Sequence, residues 1–94
     1  MSRVPSSPNR TSTRAQDVIN ACRAASRSGD FSISERAHAR ARAREHTLAD
    51  LRNVLAGVRS CKLDRDHWTV RGSTLDGTEV ELNVVLAAEI ITVV

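Results

Sequence analysis

The period of the apolar residues changes once along this chain, near Gly57, and that change constrains the fold more than any other feature. Before Gly57 the apolar positions recur at spacings of three and four, the repeat of a helix face. After it they alternate by two, the repeat of a strand. Helices must bury their stripe against something, and the nearest apolar surface is the sheet that follows. The pattern therefore predicts an α+β fold, with N-terminal helices packed on one face of a small antiparallel sheet. Ninety-four residues supply one such domain with a modest core.

Three helices are expected. Thr13 to Ser28 carries Ala15, Val18, Ile19, Cys22 and Ala25 on one stripe, with Thr13 and Gln16 in capping-box spacing and Gly29 at the end. Ser32 to His46 begins with a second such spacing, Ser32 and Glu35. Its alanines at 37, 39, 41 and 43 favour helix but make a thin one that can pack closely. Thr47 to Ala56 has Thr47 and Asp50 as its box, with Leu48, Leu51, Val54 and Leu55 apolar. Strands are then predicted over 58–63, 68–75, 78–86 and 90–94, joined by turns at 64–66, Asp76-Gly77 and 87–89. Trp68, with Val70 and Gly72 in alternation, is expected to fill the core. Residues 1–12 hold two Pro, several Ser and almost nothing apolar, so they read as a disordered arm before a domain over 13–94.

Charge is divided unevenly. Residues 1–46 carry nine Arg against four acids, whereas residues 47–94 carry five basic residues against seven acidic ones. Thirteen of the fourteen basic residues are Arg, whose planar fork matches phosphate. An anionic partner such as nucleic acid fits the helical half; a solvated face is the plainer reading of the same residues. Cys22 and Cys61 lack metal-site spacing, which predicts two free thiols and no metal. The absence of a secretory segment and of a bilayer-spanning stretch predicts a cytoplasmic protein that keeps away from membranes. Only Phe31 and Trp68 are aromatic, which argues against a base-stacking platform.

Helices followed by an antiparallel meander resemble the RelE-like bacterial toxins. The segment from His38 to Leu51, HARARAREHTLADL, looks like the pattern H-A-x-x-R-x-x-E-R-G-I-x-x-D-[VIL] of an uncharacterised family found beside MqsA-like antitoxins. His46 and Thr47 stand where that pattern has Arg-Gly. The stretch from Gly77 to Leu86, followed by Glu89 to Val93, is similar to the last two strands of the MqsR-type toxins. The resemblance covers residues 15–94. It implies a RelE/MqsR-like domain that acts as the toxin of a type II toxin–antitoxin pair. Such a toxin is a metal-independent endoribonuclease that cleaves mRNA, uses no small-molecule cofactor and is silenced by a cognate antitoxin protein. Glu81 stands where the MqsR type has a Tyr, and Thr69 where it has a Gln. The catalytic Lys of that family's C-terminal tail has no counterpart, while Lys62 matches another in the strand after the third helix.

Cleavage of RNA by its own 2′-OH needs a base, an acid and fixed cations for the charge that develops at phosphorus. The cation candidates are Lys62 and Arg71. The proton-transfer candidates are His38, His67 and Glu81. Arg40, Arg42 and Arg44 are candidate RNA-binding residues on the second helix. Each has a plainer reading: a packed helix histidine for His38, a turn residue for His67, a solvated sheet face for Glu81, and a solvated helix face for the row Arg36, Arg40 and Arg44. The missing Tyr and tail Lys keep an alternative open, a non-catalytic RNA- or protein-binding module of the same fold.

Overall fold

A computed structural model describes residues 14–94; the arm expected over residues 1–12, and the cap expected at Thr13, lie outside the described residues. The elements are α1 (Ala15–Ser28), β1 (Phe31–Ile33), α2 (Glu35–Ala43), α3 (Leu48–Ala56), β2 (Ser60–Asp64), β3 (His67–Ser73), β4 (Glu79–Ala87) and β5 (Ile90–Val93). The fold is α+β, with three helices and one five-stranded sheet in the order β1-β5-β4-β3-β2. β2 to β5 form the expected antiparallel meander. The sheet as a whole is mixed, because β1 pairs in parallel with β5, Phe31 opposite Ile91 and Ile33 opposite Val93.

β1 corrects the second helix. Phe31-Ser32-Ile33 alternates and pairs with β5, so helix cannot start at Ser32. Ser34 is the N-cap, its hydroxyl accepting from the Ala37 N–H at 3.1 Å, and α2 is shortened at both ends. α1 starts two residues later than expected. Its Arg14 N–H donates to the Asp17 carboxylate at 3.0 Å, and Gln16 donates instead to Asn20. α3 carries the predicted reciprocal box: Asp50 N–H to the Thr47 hydroxyl at 3.1 Å, and Thr47 N–H to the Asp50 carboxylate at 2.9 Å. Asp50 also accepts from the Leu75 N–H at 3.2 Å, tying α3 to the β3–β4 turn. These backbone hydrogen bonds hold its carboxyl below the usual range.

α1 packs on α3, β2 and β5, and α3 packs on β3, so these two helices cover one face of the sheet. The core between them contains Val18, Cys22, Leu55, Val58, Val70, Val84, Ile91 and Val93. Trp68 is half-buried at the margin of this core, so it closes the core's edge without filling its centre. Gly72 explains how closely α3 approaches: a Cβ there would lie 2.5 Å from the Val54 carbonyl oxygen. Among the described residues, no helix packs in this way on the opposite face of the sheet. α2 runs at the margin of the sheet, turning Ala37 and Ala41 inward.

Two expected outcomes follow from local geometry. The β4–β5 turn places both Ala88 (φ 52°) and Glu89 (φ 64°) in the left-handed region, which costs an L-residue about 1–2 kcal/mol. Ala88→Asn with Glu89→Gly suits such a two-residue hairpin and should raise unfolding free energy by about 1–2 kcal/mol, read from the urea midpoint. Burial, and secondarily the nearby Cys61, pushes the Cys22 thiol up to about 12. A thiol reagent at pH 8 should therefore label Cys61, which is partly exposed, and reach Cys22 only on unfolding. Rapid labelling of both thiols in the native state would contradict this packing.

Candidate nucleic-acid interface

The pleat of the sheet divides the predicted site residues. Val70, Gly72, Val80 and Val84 are buried toward the helices, so residues of the opposite parity stand on the helix-free face. Lys62 lies across from Thr69 and Thr69 from Asn83, with a hydrogen bond of 3.2 Å between the Thr69 hydroxyl and the Asn83 amide oxygen. Arg71 lies across from Glu81 and is hydrogen-bonded to it in an ion pair. That pair holds the Arg71 guanidinium still more firmly charged, first through the Glu81 hydrogen bond, then through the charges of Glu81 and Glu79. Arg59 pairs likewise with Glu79 at 2.7 Å. Both pairs are half-exposed, so each contributes little to stability. Their main effect is to cancel charge over this part of the sheet.

Cations without a carboxylate partner among the described residues occur on every helix, as with Arg23 and Arg27 on α1 and Arg52 on α3, and they are densest on α2 and its C-cap. Among the described residues, Arg36, Arg40, Arg42, Arg44 and Lys62 have no carboxylate within salt-bridge distance. Arg36, Arg40 and Arg44 form one row at four-residue spacing. The first two meet the helix-free face in a cleft of about 350 Å³, shared with Ser34, His67, Asn83 and Val94. Arg40 also donates to the Val94 carbonyl. A second, larger groove of about 700 Å³ lies on the other side of Arg40. Arg40, Arg44 and His46 form one wall and residues 78–83 of β4 form the other.

His67 supplies the imidazole that lines the first cleft. The tight β2–β3 turn, with Arg65 at φ 63°, places it directly across from Asp64. Its Nε2 is 3.7 Å from an Asp64 carboxylate oxygen and its Nδ1 is 3.5 Å from one of Asp66. The side chain remains 24% exposed, open to the cleft.

The structure thus brings together some of the predicted residues. His67 and Arg40 share the cleft; Arg44 is in the adjoining groove; Lys62, Arg71 and Glu81 share the helix-free face but do not line the cleft. His38 and Arg42 are exposed on α2 and line neither depression. The sequence reading leaves Arg36 in a row that reads as a solvated helix face and does not single out Asn83. The four-residue row from Arg36 was visible and could have identified the first; no local pattern distinguishes Asn83 from any outward strand residue.

Compared with known proteins, the chain matches no family model, no curated protein and no solved structure. Among the described residues, no cluster of three His, Cys, Asp or Glu side chains is arranged to hold a metal ion. Among them, no helix is long and apolar enough to cross a membrane.

Proposed function

We propose that this protein is a RelE-like endoribonuclease, the toxin of a type II pair, that cleaves mRNA at the cleft between α2 and the helix-free face of the sheet. The observation that carries the reading is the meeting of Arg36 and Arg40 with His67 in that cleft; among the described residues neither Arg has an Asp or Glu side chain within salt-bridge distance, and Arg40 is held by the Val94 carbonyl. The order of three helices and an antiparallel meander is what the resemblance to those toxins implies; the parallel strand β1 departs from that expectation.

The chemistry follows from the groups present. The His67 imidazole takes the proton of a ribose 2′-OH, and the freed O2′ attacks the adjacent phosphorus. Arg36 and Arg40 face the equatorial oxygens, where negative charge builds up. The P–O5′ bond breaks, and the 5′-oxygen takes a proton from water. The products are a 2′,3′-cyclic phosphate and a 5′-hydroxyl end. Lys62, Arg42 and Arg44 extend the positive field along which the rest of the strand lies. Arg71, engaged by Glu81, helps less. That same ion pair favours the second reading, a non-catalytic RNA- or protein-binding module, because it leaves Glu81 with a partner and His67 alone to move protons.

Purified protein incubated with single-stranded RNA in EDTA separates the two. Cleavage with cyclic-phosphate ends is the expected result. Arg36→Ala and Arg40→Ala should each weaken RNA binding and flatten its dependence on log salt by roughly 0.7. Intact RNA with salt-dependent binding would leave the binding module. Neither cleavage nor binding would end both readings.

A further inference from the structure

β5 covers only part of the β4 edge. Its pairing runs from Ala87 opposite Ile90 to Val84 opposite Val93, and the Val94 N–H then donates to the Asn83 carbonyl at 2.8 Å. From Glu79 to Leu82, no strand among the described residues pairs with this side of β4. In an antiparallel ladder, each residue turns both its N–H and its C=O toward one neighbour, and successive residues alternate. Asn83 turns toward β5. Thr78, whose carbonyl accepts from the Thr74 N–H at 2.9 Å, turns toward β3. Glu79 and Glu81 have the parity of Asn83, so their backbone donors and acceptors point away from β3, into the 700 Å³ groove. Residues 78–83 line that groove consecutively, which a strand can do only with its edge, because its side chains alternate between faces.

An open edge of this kind is a template for an added strand. The groove supplies the rest of a binding site. Leu82, half-buried, gives it apolar surface over the buried Leu51 and Val93, and Arg40 and Arg44, with no Asp or Glu partner among the described residues, form a cationic wall beside His46. The Glu79 and Glu81 carboxylates, also in the lining, are engaged by Arg59 and Arg71. We propose that an extended, acidic segment of a partner protein binds here. It adds as a strand along Glu79–Leu82, lays alternate apolar side chains on Leu82, and sets its carboxylates against Arg40 and Arg44. The chain's own residues 1–13 suit the groove poorly. They contain Arg3 and Arg10 with no acid, and Pro5 and Pro8 have no N–H for a ladder. A second copy's β4 is equally unsuited, because its edge has α2 alongside. Arg40 borders both the groove and the His67 cleft, so a bound segment would draw it from RNA. This inhibitory consequence rests on the ribonuclease reading, whereas the binding itself does not.

The test is selection of a displayed random dodecapeptide library on the full chain, followed by NMR amide exchange with the winning synthetic peptide. Selected sequences should alternate apolar residues with Asp or Glu. The bound peptide should slow exchange of the Glu79 and Glu81 amide protons. Arg44→Glu should weaken binding about tenfold or more, as expected for loss of a charge-assisted contact, with Arg27→Glu as the neutral control. Both variants are checked for an unchanged unfolding transition. Selected peptides without acidic residues, or bound peptides that leave both amides unprotected, would overturn the proposal. So would a single-stranded RNA that fills the groove in place of any peptide, shifting Arg44 without protecting the amides. Absence of RNA cleavage would remove only the inhibitory consequence.

Discussion

Gly72→Ala should destabilise the protein by about 3 kcal/mol, more than most core changes of a single methyl. The added Cβ would stand 2.5 Å from the Val54 carbonyl oxygen and 3.2 Å from the Val54 carbonyl carbon and Cα. These are backbone atoms of α3, so no side chain can rotate to relieve the contact. Instead α3 must withdraw from β3 as a body, and Leu55 and Val58, both fully buried, would lose packing with it. A domain this small has little stability in reserve, so a substantial unfolded fraction at 37 °C is expected. Gly57→Ala is the control, because its Cβ would meet only the Asn53 carbonyl oxygen at an ordinary 3.8 Å. Urea unfolding of the two variants checks the account. A Gly72→Ala loss below about 0.5 kcal/mol would mean that α3 does not pack on β3 at backbone distance.

The second large effect concerns chemistry. His67→Ala should slow RNA cleavage by about a hundredfold or more, the usual contribution of a positioned general base. Stability should change little, because the imidazole is at the mouth of a cleft and its two carboxylate contacts are longer than 3.4 Å. Removing Arg71 should cost less than removing Arg40. The first is neutralised by Glu81, and the second has no carboxylate partner among the described residues. The sequence-based expectation ranked Arg71 above Arg40 as the cation at the scissile phosphate. On the proposed ribonuclease reading, the ion pair argues for the opposite order.

The sequence made the meander legible because it states the meander locally. Val80, Leu82 and Val84 alternate with Glu79, Glu81 and Asn83, and Asp76-Gly77 marks the turn, with Gly77 at φ 89°. Thr47 and Asp50 announced α3 equally well, since a reciprocal cap is a contact between near neighbours. β1 was not legible. Three residues cannot show a period, and Phe31–Ile33 becomes a strand only because β5, sixty residues away in sequence, offers it an edge. The repositioned cap at Ser34 follows from that long-range pairing. The site was legible only in part for the same reason. His67 and the basic helix are visible in the sequence, but their meeting depends on α2 lying at the margin of the sheet beside Asn83 and Val94. The ion pair between Arg71 and Glu81 depends on register, which periodicity alone does not fix.

The central claim is that the cleft joining α2 to the sheet is a ribonuclease site. It is tested most directly by single-turnover cleavage of one single-stranded RNA in EDTA, with wild-type protein and His67→Ala compared at saturating protein. The account predicts cleavage by wild type, a hundredfold or greater loss in the variant, and RNA affinity unchanged within about twofold. Equal cleavage by the two proteins, or none by wild type at any concentration, would contradict it.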